Sequence, residues 1–469
     1  MPSDRDRPAL DVGLLSPVTV GHDETVTDAA YLDALVTAEV ALVRAYRELG
    51  LAPAEAVDEI ETEFGWRSGL RGCPDHGVDL AALTAAAVAG GNPVIPLVGR
   101  LKERVGAGSR TWIHRGATSQ DIVDTAAMLV ARAATSRIAA SLAHAEVLLR
   151  SLARSRRDEV AAARTLTQHA VPTTVGLRAA GWLRGVARAR ERVEDAQHRL
   201  PAQLGGAAGT LASFTEVAGT EAAADLPAAF AHELGLAAPD APWHTNRWPI
   251  TELGDALVQA VDAVGKIATD VATLSRTEIG ELAEGSGGGS SAMPQKRNPA
   301  ASVLIRSAAL RAPQLGATLH LASALAADER PDGAWHAEWP VLRELLRLAL
   351  GATAHAATLV AGLHVDTDAV ERNLASTGGL IVAERLSVVL GPVLGSARVS
   401  DLVADAAGGA DLAAALTALP EVGSVAAERG VAPPAFVADL LDPARYIGLA
   451  GRLVDDAVAP EASHREDNA

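Results

Sequence analysis

The residues with the densest chemistry lie between Gly285 and Pro299, which read GSGGGSSAMPQKRNP. Four glycines and three serines leave backbone N–H groups and hydroxyls available there, and Lys296 follows in a chain whose only lysines are Lys102, Lys266 and Lys296. Such a set of donors beside one ammonium suits an anion, including an oxyanion that forms during a reaction. A purely structural account stands next to it: Asn298 and Pro299 make an N-cap and N1 pair opening the next helix, and the glycines only link. A second stretch, His114-Arg115-Gly116-Ala117-Thr118-Ser119-Gln120-Asp121, puts hydroxyls and an acidic residue where a long helix is expected to begin. The free N–H groups of a helix start favour an anion, so the same hydroxyls can cap the helix and hold a carboxylate. A third stretch, Arg164 to Thr174, reads RTLTQHAVPTT and carries Gln168 and His169. A histidine near a helix end is either structural or, facing a polyanion, an ionic contact.

Helices must position these stretches. From Ala117 to Val171 there is neither glycine nor proline, and the abundance of Ala, Leu, Arg and Glu predicts a helix of roughly 35 to 40 residues. Leu253, Leu257, Val261, Val264, Ile267, Val271 and Leu274 recur every three or four residues, the seam of a second helix in a bundle. Further long helices are expected over Thr174 to Leu200, over Pro299 to Ala326 with a kink at Pro313, and over His336 to Leu363. Alternating strand patterns are scarce, so the expected fold class is all-α. Shorter helices before and after the long ones, including Asp28 to Leu49, and breaks at Gly378-Gly379, Gly391-Pro392 and Pro433-Pro434 predict an N-terminal helical domain over 1–107, a central bundle over 108–363 and a C-terminal helical domain over 364–469. Its end, Ala457 to Ala469, reads as a frayed tail.

Composition narrows the function further. The 469 residues are 49% hydrophobic and 21% charged, with a formal net charge of −17, which sets the whole-molecule field against nucleic acid or an anionic membrane. The apolar run from about Leu80 to Val98 is broken by glycines and prolines, so no membrane span is expected. A single cysteine, Cys73, builds neither an internal disulfide nor a thiolate cluster; it reads as a buried, inert thiol in a cytoplasmic chain with no signal peptide.

Gly289-Ser290-Ser291-Ala292-Met293-Pro294-Gln295-Lys296-Arg297-Asn298 resembles the signature G-S-S-x-M-P-x-K-x-N of the fumarase/aspartase superfamily and matches it at every fixed position. His114 to Asp121 resembles the superfamily's H-x-G-x-T-S-x-D region, and Arg164 to Thr174 its R-T-H-x-x-x-A-x-P segment. The resemblance spans nearly the whole chain and implies a central long-helix bundle with two smaller helical caps. It departs at one informative place: where many members carry a histidine acting with a glutamate as general acid, this chain has Leu166 and Val303. Leucine and valine transfer no protons.

The branch with T-L/W-x-Q-H at that place is the 3-carboxy-cis,cis-muconate cycloisomerases, which the strings Gly91-Asn92-Pro93-Val94-Ile95-Pro96, Leu204 to Thr210 and Ala334-Trp335-His336-Ala337-Glu338-Trp339 also resemble. The implied reaction adds a substrate carboxylate across a diene, closing a lactone, and that carboxylate needs no acid. By resemblance Ser290 is the proton carrier. Lys296 and Asn298 hold the carboxylate where negative charge accumulates, Thr118, Ser119 and Gln120 hold another, and His114, Gln168, His169 and Asn92 complete the substrate contacts. The resemblance further implies a homotetramer whose sites each draw on three chains, with no metal or organic cofactor. A lyase expelling nitrite from nitrosuccinate is the alternative, since nitrite also leaves as an anion. Adenylosuccinate and argininosuccinate lyases fit less well because their amine-type leaving groups benefit from protonation, and an inactive scaffold fits least.

Overall fold

A computed structural model describes residues 11–285, 288, 289, 293 and 296–459, and 68% of the chain is helical. In chain order the first helices are α1 (Asp28–Glu48), α2 (Ala54–Glu63), α3 (Leu80–Gly90), α4 (Val94–Glu103) and α5 (Ala107–Arg110). Then come α6 (Ser119–Ser155), the strands β1 (Val160–Thr165) and β2 (Gln168–Thr174), α7 (Val175–His198), α8 (Ala212–Ala218), α9 (Thr220–Leu234) and α10 (Trp248–Leu274). After β3 (Leu282–Ala283) follow α11 (Ala300–Ala324), α12 (Gly333–Ala361), β4 (His364–Val365) and α13 (Thr367–Ala375). The chain ends in α14 (Ala383–Leu394), α15 (Ser396–Ala407), α16 (Leu412–Thr417), α17 (Pro420–Glu428), α18 (Pro433–Leu441) and α19 (Ala450–Val458). The 37 residues of α6 fall within the length that its unbroken Ala, Leu and Arg content predicts.

The chain divides into two units. One takes in the chain up to Ala143 with Arg188–Gly265 and Leu304–Ala356; the other takes in His144–Ala187, Lys266–Val303 and the chain from Ala357. In the first, α10 and α11 pack antiparallel at close range. Their surfaces meet through glycines: a Cβ on Gly254 would lie 2.7 Å from Leu319, one on Gly316 would lie 2.9 Å from Val258, and one on Gly265 would lie 2.7 Å from Ala309. Residue numbers rise on one helix as they fall on the other. Leu253, Leu257, Val261 and Val264 are buried along the expected seam, each contributing on the order of 1.5–3 kcal/mol by leaving water. In the second unit, Leu386, Leu390, Val399, Leu416, Val422 and Phe436 belong to one apolar cluster shared by the C-terminal helices.

Three local expectations change. The segment after α6 turns into an antiparallel hairpin, pairing Val160 with Thr174 and Thr165 with Gln168. Its two tip residues, Leu166 and Thr167, have φ of 49° and 72°, as a type I′ turn demands of both central positions. Gly391-Pro392 does not break a helix but lies inside α14, whose buried Leu386 and Leu390 hold the turn. Ala457 and Val458, expected in the tail, instead belong to α19; residues 460–469 of that tail lie outside the described residues. Among the described residues no single helix is long and apolar enough to cross a membrane. Cys73 is buried, and burial pushes its thiol up to about 12.

Candidate active site

The start of α6 is assembled around Asp121. Its carboxylate accepts from the N–H groups of Thr118 at 2.9 Å, Gly205 at 2.8 Å and Gly206 at 3.0 Å, and from His244 Nε2 at 2.8 Å. One side chain therefore caps the helix and ties the glycine-rich 205–209 segment to it. Gly205 has to be glycine here, since a Cβ would come within 2.8 Å of both His244 and Pro242. The Thr118 hydroxyl is not spent on the helix: it accepts from Arg330 Nη2 at 2.6 Å, and the same nitrogen donates to the Ala207 carbonyl at 2.9 Å. Ser119 is half-buried in the first turn of α6. Gln120 is fully buried; its amide donates to the His244 carbonyl at 2.8 Å and to Asp124 at 3.2 Å, while Oε1 has no partner. Asn92 accepts from the Val94 N–H at 3.0 Å and donates to the Gly90 carbonyl at 3.3 Å, capping the start of α4.

His114 sits just before this knot with φ of 58°, its neighbour Arg115 pinned by the Tyr46 hydroxyl at 2.9 Å. Its Nδ1 lies 2.7 Å from Oε1 of Glu39, which is buried and has no partner for Oε2. Burial opposes charge on the ring, but the Glu39 carboxylate outweighs it and raises His114 above the ordinary imidazole value. A protonated His114 can meet an anion. Beneath the same helix, Arg247 is 1% exposed and forks between Asp124, at 2.7 and 3.0 Å, and Glu338, at 2.6 to 3.1 Å. The Trp335 indole N–H adds a 2.9 Å bond to Asp124. Two buried carboxylates on one guanidinium need these extra donors. Burial raises Glu338 against the pull of Arg247.

In the second unit the signature loop is tied at its base. Gly288 and Asn298 exchange two backbone hydrogen bonds of 2.8 Å each, and Lys296 is exposed on the span so closed. Ser290, the expected proton carrier, and Ser291 lie outside the described residues. Asn298 does not cap α11: the helix opens at Ala300, and Glu284 accepts from the N–H groups of Ala301 at 3.0 Å and Ser302 at 2.8 Å and from the Ser302 hydroxyl at 2.6 Å. A carboxylate supplied from the other side of the loop thus replaces the local cap that the Asn-Pro pair suggested. Gln168 is exposed on β2. His169 Nδ1 lies 3.2 Å from the Ser376 hydroxyl, which itself donates to the Asn373 carbonyl, so Nδ1–H is the donor in that pair. Burial and nearby Arg164 hold His169 below the ordinary imidazole value.

Leu166 is 96% exposed at the hairpin tip and Val303 is 53% exposed on the first turn of α11. Neither packs a core within the chain, so internal packing does not account for an apolar side chain at either place. Among the described residues no group of three His, Cys, Asp or Glu side chains is arranged to hold a metal ion. Sequence reading missed Glu284, Arg330, Glu39 and the Arg247 network; only Trp335 and Glu338 stood in a string singled out beforehand.

Residues 78–313 match the protein family described as Lyase. A nitrosuccinate lyase of Streptomyces davaonensis is 47% identical over 467 residues, covering 96% of this chain and 95% of that protein. A 3-carboxy-cis,cis-muconate cycloisomerase of Bradyrhizobium diazoefficiens is 39% identical, covering 91% of this chain and 93% of its own length. The crystal structure of the 3-carboxy-cis,cis-muconate lactonizing enzyme from Pseudomonas putida superposes with a TM-score of 0.84 at 34% identity, covering 95% of this chain and 98% of that one.

Proposed function

The chain belongs to the fumarase/aspartase superfamily of lyases, and we propose that within it the enzyme converts 3-carboxy-cis,cis-muconate to 4-carboxymuconolactone without a general acid. The observation that carries the acid-free part of this reading is the pair Leu166 and Val303, exposed and aprotic at the two positions where by resemblance a proton donor would stand; it fits an anionic leaving group equally well. In lactonisation one substrate carboxylate oxygen bonds to a diene carbon, and the electron pair displaced from that double bond collects on the carbon next to another carboxylate. Ser290 delivers the proton to that carbon, and in reverse it removes the proton as the carboxylate departs. The nucleophile is already ionised, so no second proton moves. A serine alkoxide needs N–H donors and positive charge to form at neutral pH, which the glycine-rich loop and Lys296 supply. Lys296 and Asn298 hold the carboxylate that gains charge. His114, with Thr118, Ser119 and Asn92, serves another; Gln120 is buried with its amide hydrogens on His244 and Asp124 and holds the helix start in place, and Gln168 and His169 line the substrate.

One observation favours a second reading. The nitrosuccinate lyase is more similar to this chain than the cycloisomerase is, 47% against 39%. Nitrite leaves as an anion, so the same acid-free machinery would release nitrite and fumarate. A panel of 3-carboxy-cis,cis-muconate, nitrosuccinate, adenylosuccinate and argininosuccinate separates the readings. Loss of diene ultraviolet absorbance is expected, and nitrite release without it would transfer the assignment to the lyase. Rapid cleavage of adenylosuccinate would overturn the acid-free argument itself. Ser290→Ala should lower turnover by on the order of a hundredfold or more while leaving the fold intact, and Ser291→Ala should cost less; equal losses would reverse the assignment of the carrier.

The reading extends to a cytoplasmic homotetramer in which the loop, the Thr118 region and the His169 region of one site come from three chains. Light scattering that finds an active monomer would refute it. It also keeps the chain-order domains 1–107, 108–363 and 364–469, the last supported by its own apolar cluster.

A further inference from the structure

A cleft of about 940 Å³ opens along the β1–β2 hairpin, the start of α7, the end of α10 and α13, large enough for a metabolite. Four cationic side chains line it: Arg164, Arg178, Lys266 and Arg276. Glu281, with no exposed surface, takes Arg164 at 2.5 and 3.2 Å, and Asp270 takes Lys266. Arg276 and Glu278 are both exposed to water, two residues apart.

Arg178 is the exception. Its side chain is 17% exposed, yet its contacts are 3.4 Å to the Ala162 carbonyl and 3.5 Å to Glu281 Oε2, an oxygen Arg164 already uses. The other Glu281 oxygen accepts from Arg164 and, at 2.9 Å, from Asn373. Charge-assisted bonds from a guanidinium to a carboxylate run near 2.7–2.9 Å, so neither contact is a full ion pair. One carboxylate serves two guanidiniums and leaves about one positive charge unmatched in a largely dry wall, where charges are ordinarily paired. Burial lowers Arg178 below the usual arginine range, and Arg164 adds to this against the pull of Glu281 and of Asp270, which is itself paired with Lys266.

We propose that the Arg178 wall of this cleft is a subsite for one carboxylate of a polycarboxylate ligand, with the Arg178 fork as its charge partner and Thr173 and Thr273 as neighbouring hydroxyls. This rests on the reading that the enzyme handles polycarboxylates, and it assigns a residue outside the three signature regions to binding. The test is calorimetric titration of the full-length protein with tricarballylate, a tricarboxylate with no leaving group. Arg178→Gln should weaken binding by on the order of tenfold or more, the equivalent of one charge-assisted contact, and Arg178→Lys should restore part of it. Should Arg178→Gln fail to fold, Thr273→Glu leaves the Arg178–Glu281 pair untouched and places a competing carboxylate in the cleft, with the same loss expected. Wild-type affinity in either folded variant, or no binding of tricarballylate to the wild type, overturns the proposal. Unchanged binding beside active muconate turnover would sink this subsite alone. Arg178-dependent binding without turnover of muconate or nitrosuccinate would instead sink the proposed reaction.

Discussion

The starts of α6 and α11 both lie against glycine-rich segments, and they solve the same problem in opposite ways. At α6 the cap comes from within, through Asp121, which also gathers Gly205, Gly206 and His244. At α11 it comes from outside, through Glu284 on the far side of the loop. The first arrangement has a buried charge network behind it and leaves Thr118 and His114 as its outward polar groups. The second has the loop closed by one backbone pair, Gly288 with Asn298, just after Glu284 in the chain. The lesson is that two helix starts of one chain need not be alike as anion sites: at α11 the N–H groups of Ala301 and Ser302 are taken by Glu284, whereas at α6 Asp121 takes the Thr118 N–H just ahead of the helix.

Four substitutions or titrations probe that contrast. The largest effect is expected from Arg247→Met, which strands Asp124 and Glu338 without their cation and should cost about 3–5 kcal/mol in chemical denaturation; a loss under about 1 kcal/mol would show the network behind α6 to be dispensable. Glu284→Ala should cost about 1–2 kcal/mol, the value of a strong cap, and should lower turnover along with stability because the same residue anchors the loop's far end. An unaffected melting temperature would mean that α11 is capped by other groups.

Leu166→Gly should raise stability by up to about 1 kcal/mol, because glycine adopts φ of 49° without the clash a leucine pays. A destabilised variant would show that the exposed leucine is held by contacts from outside its own chain. The smallest effect is a titration. His114 is expected to titrate above about 6.5, and Glu39→Gln should return it toward that value, read from imidazole resonances. Because the folded value is raised, the stabilisation from the pair is complete below the unfolded value and is lost as pH rises through the folded one. The stability gap between wild type and Glu39→Gln should therefore shrink on the alkaline side; a gap that widens there would reverse the assigned ion pair.

The amino-acid sequence by itself determined the helices and the chemistry-bearing strings. Helices follow from contacts three or four residues apart, so the 253–274 seam and the unbroken run after Ala117 are written locally, and contiguous loop residues such as Ser290, Lys296 and Asn298 are found by string alone. The absence of a proton donor at Leu166 and Val303 was legible for the same reason. Only the tertiary structure decided which polar groups those residues answer to. Asp121 meets Gly205, Arg330 meets Thr118, Glu39 meets His114, and Arg164 and Arg178 share Glu281, each across 75 or more positions. Such pairings leave no periodic trace in the chain, since a carboxylate destined for a buried arginine is spelled the same way as one destined for water. The hairpin was hidden too: nothing in RTLTQ favours positive φ at two successive residues, and the turn exists because the strands on either side pair over their length.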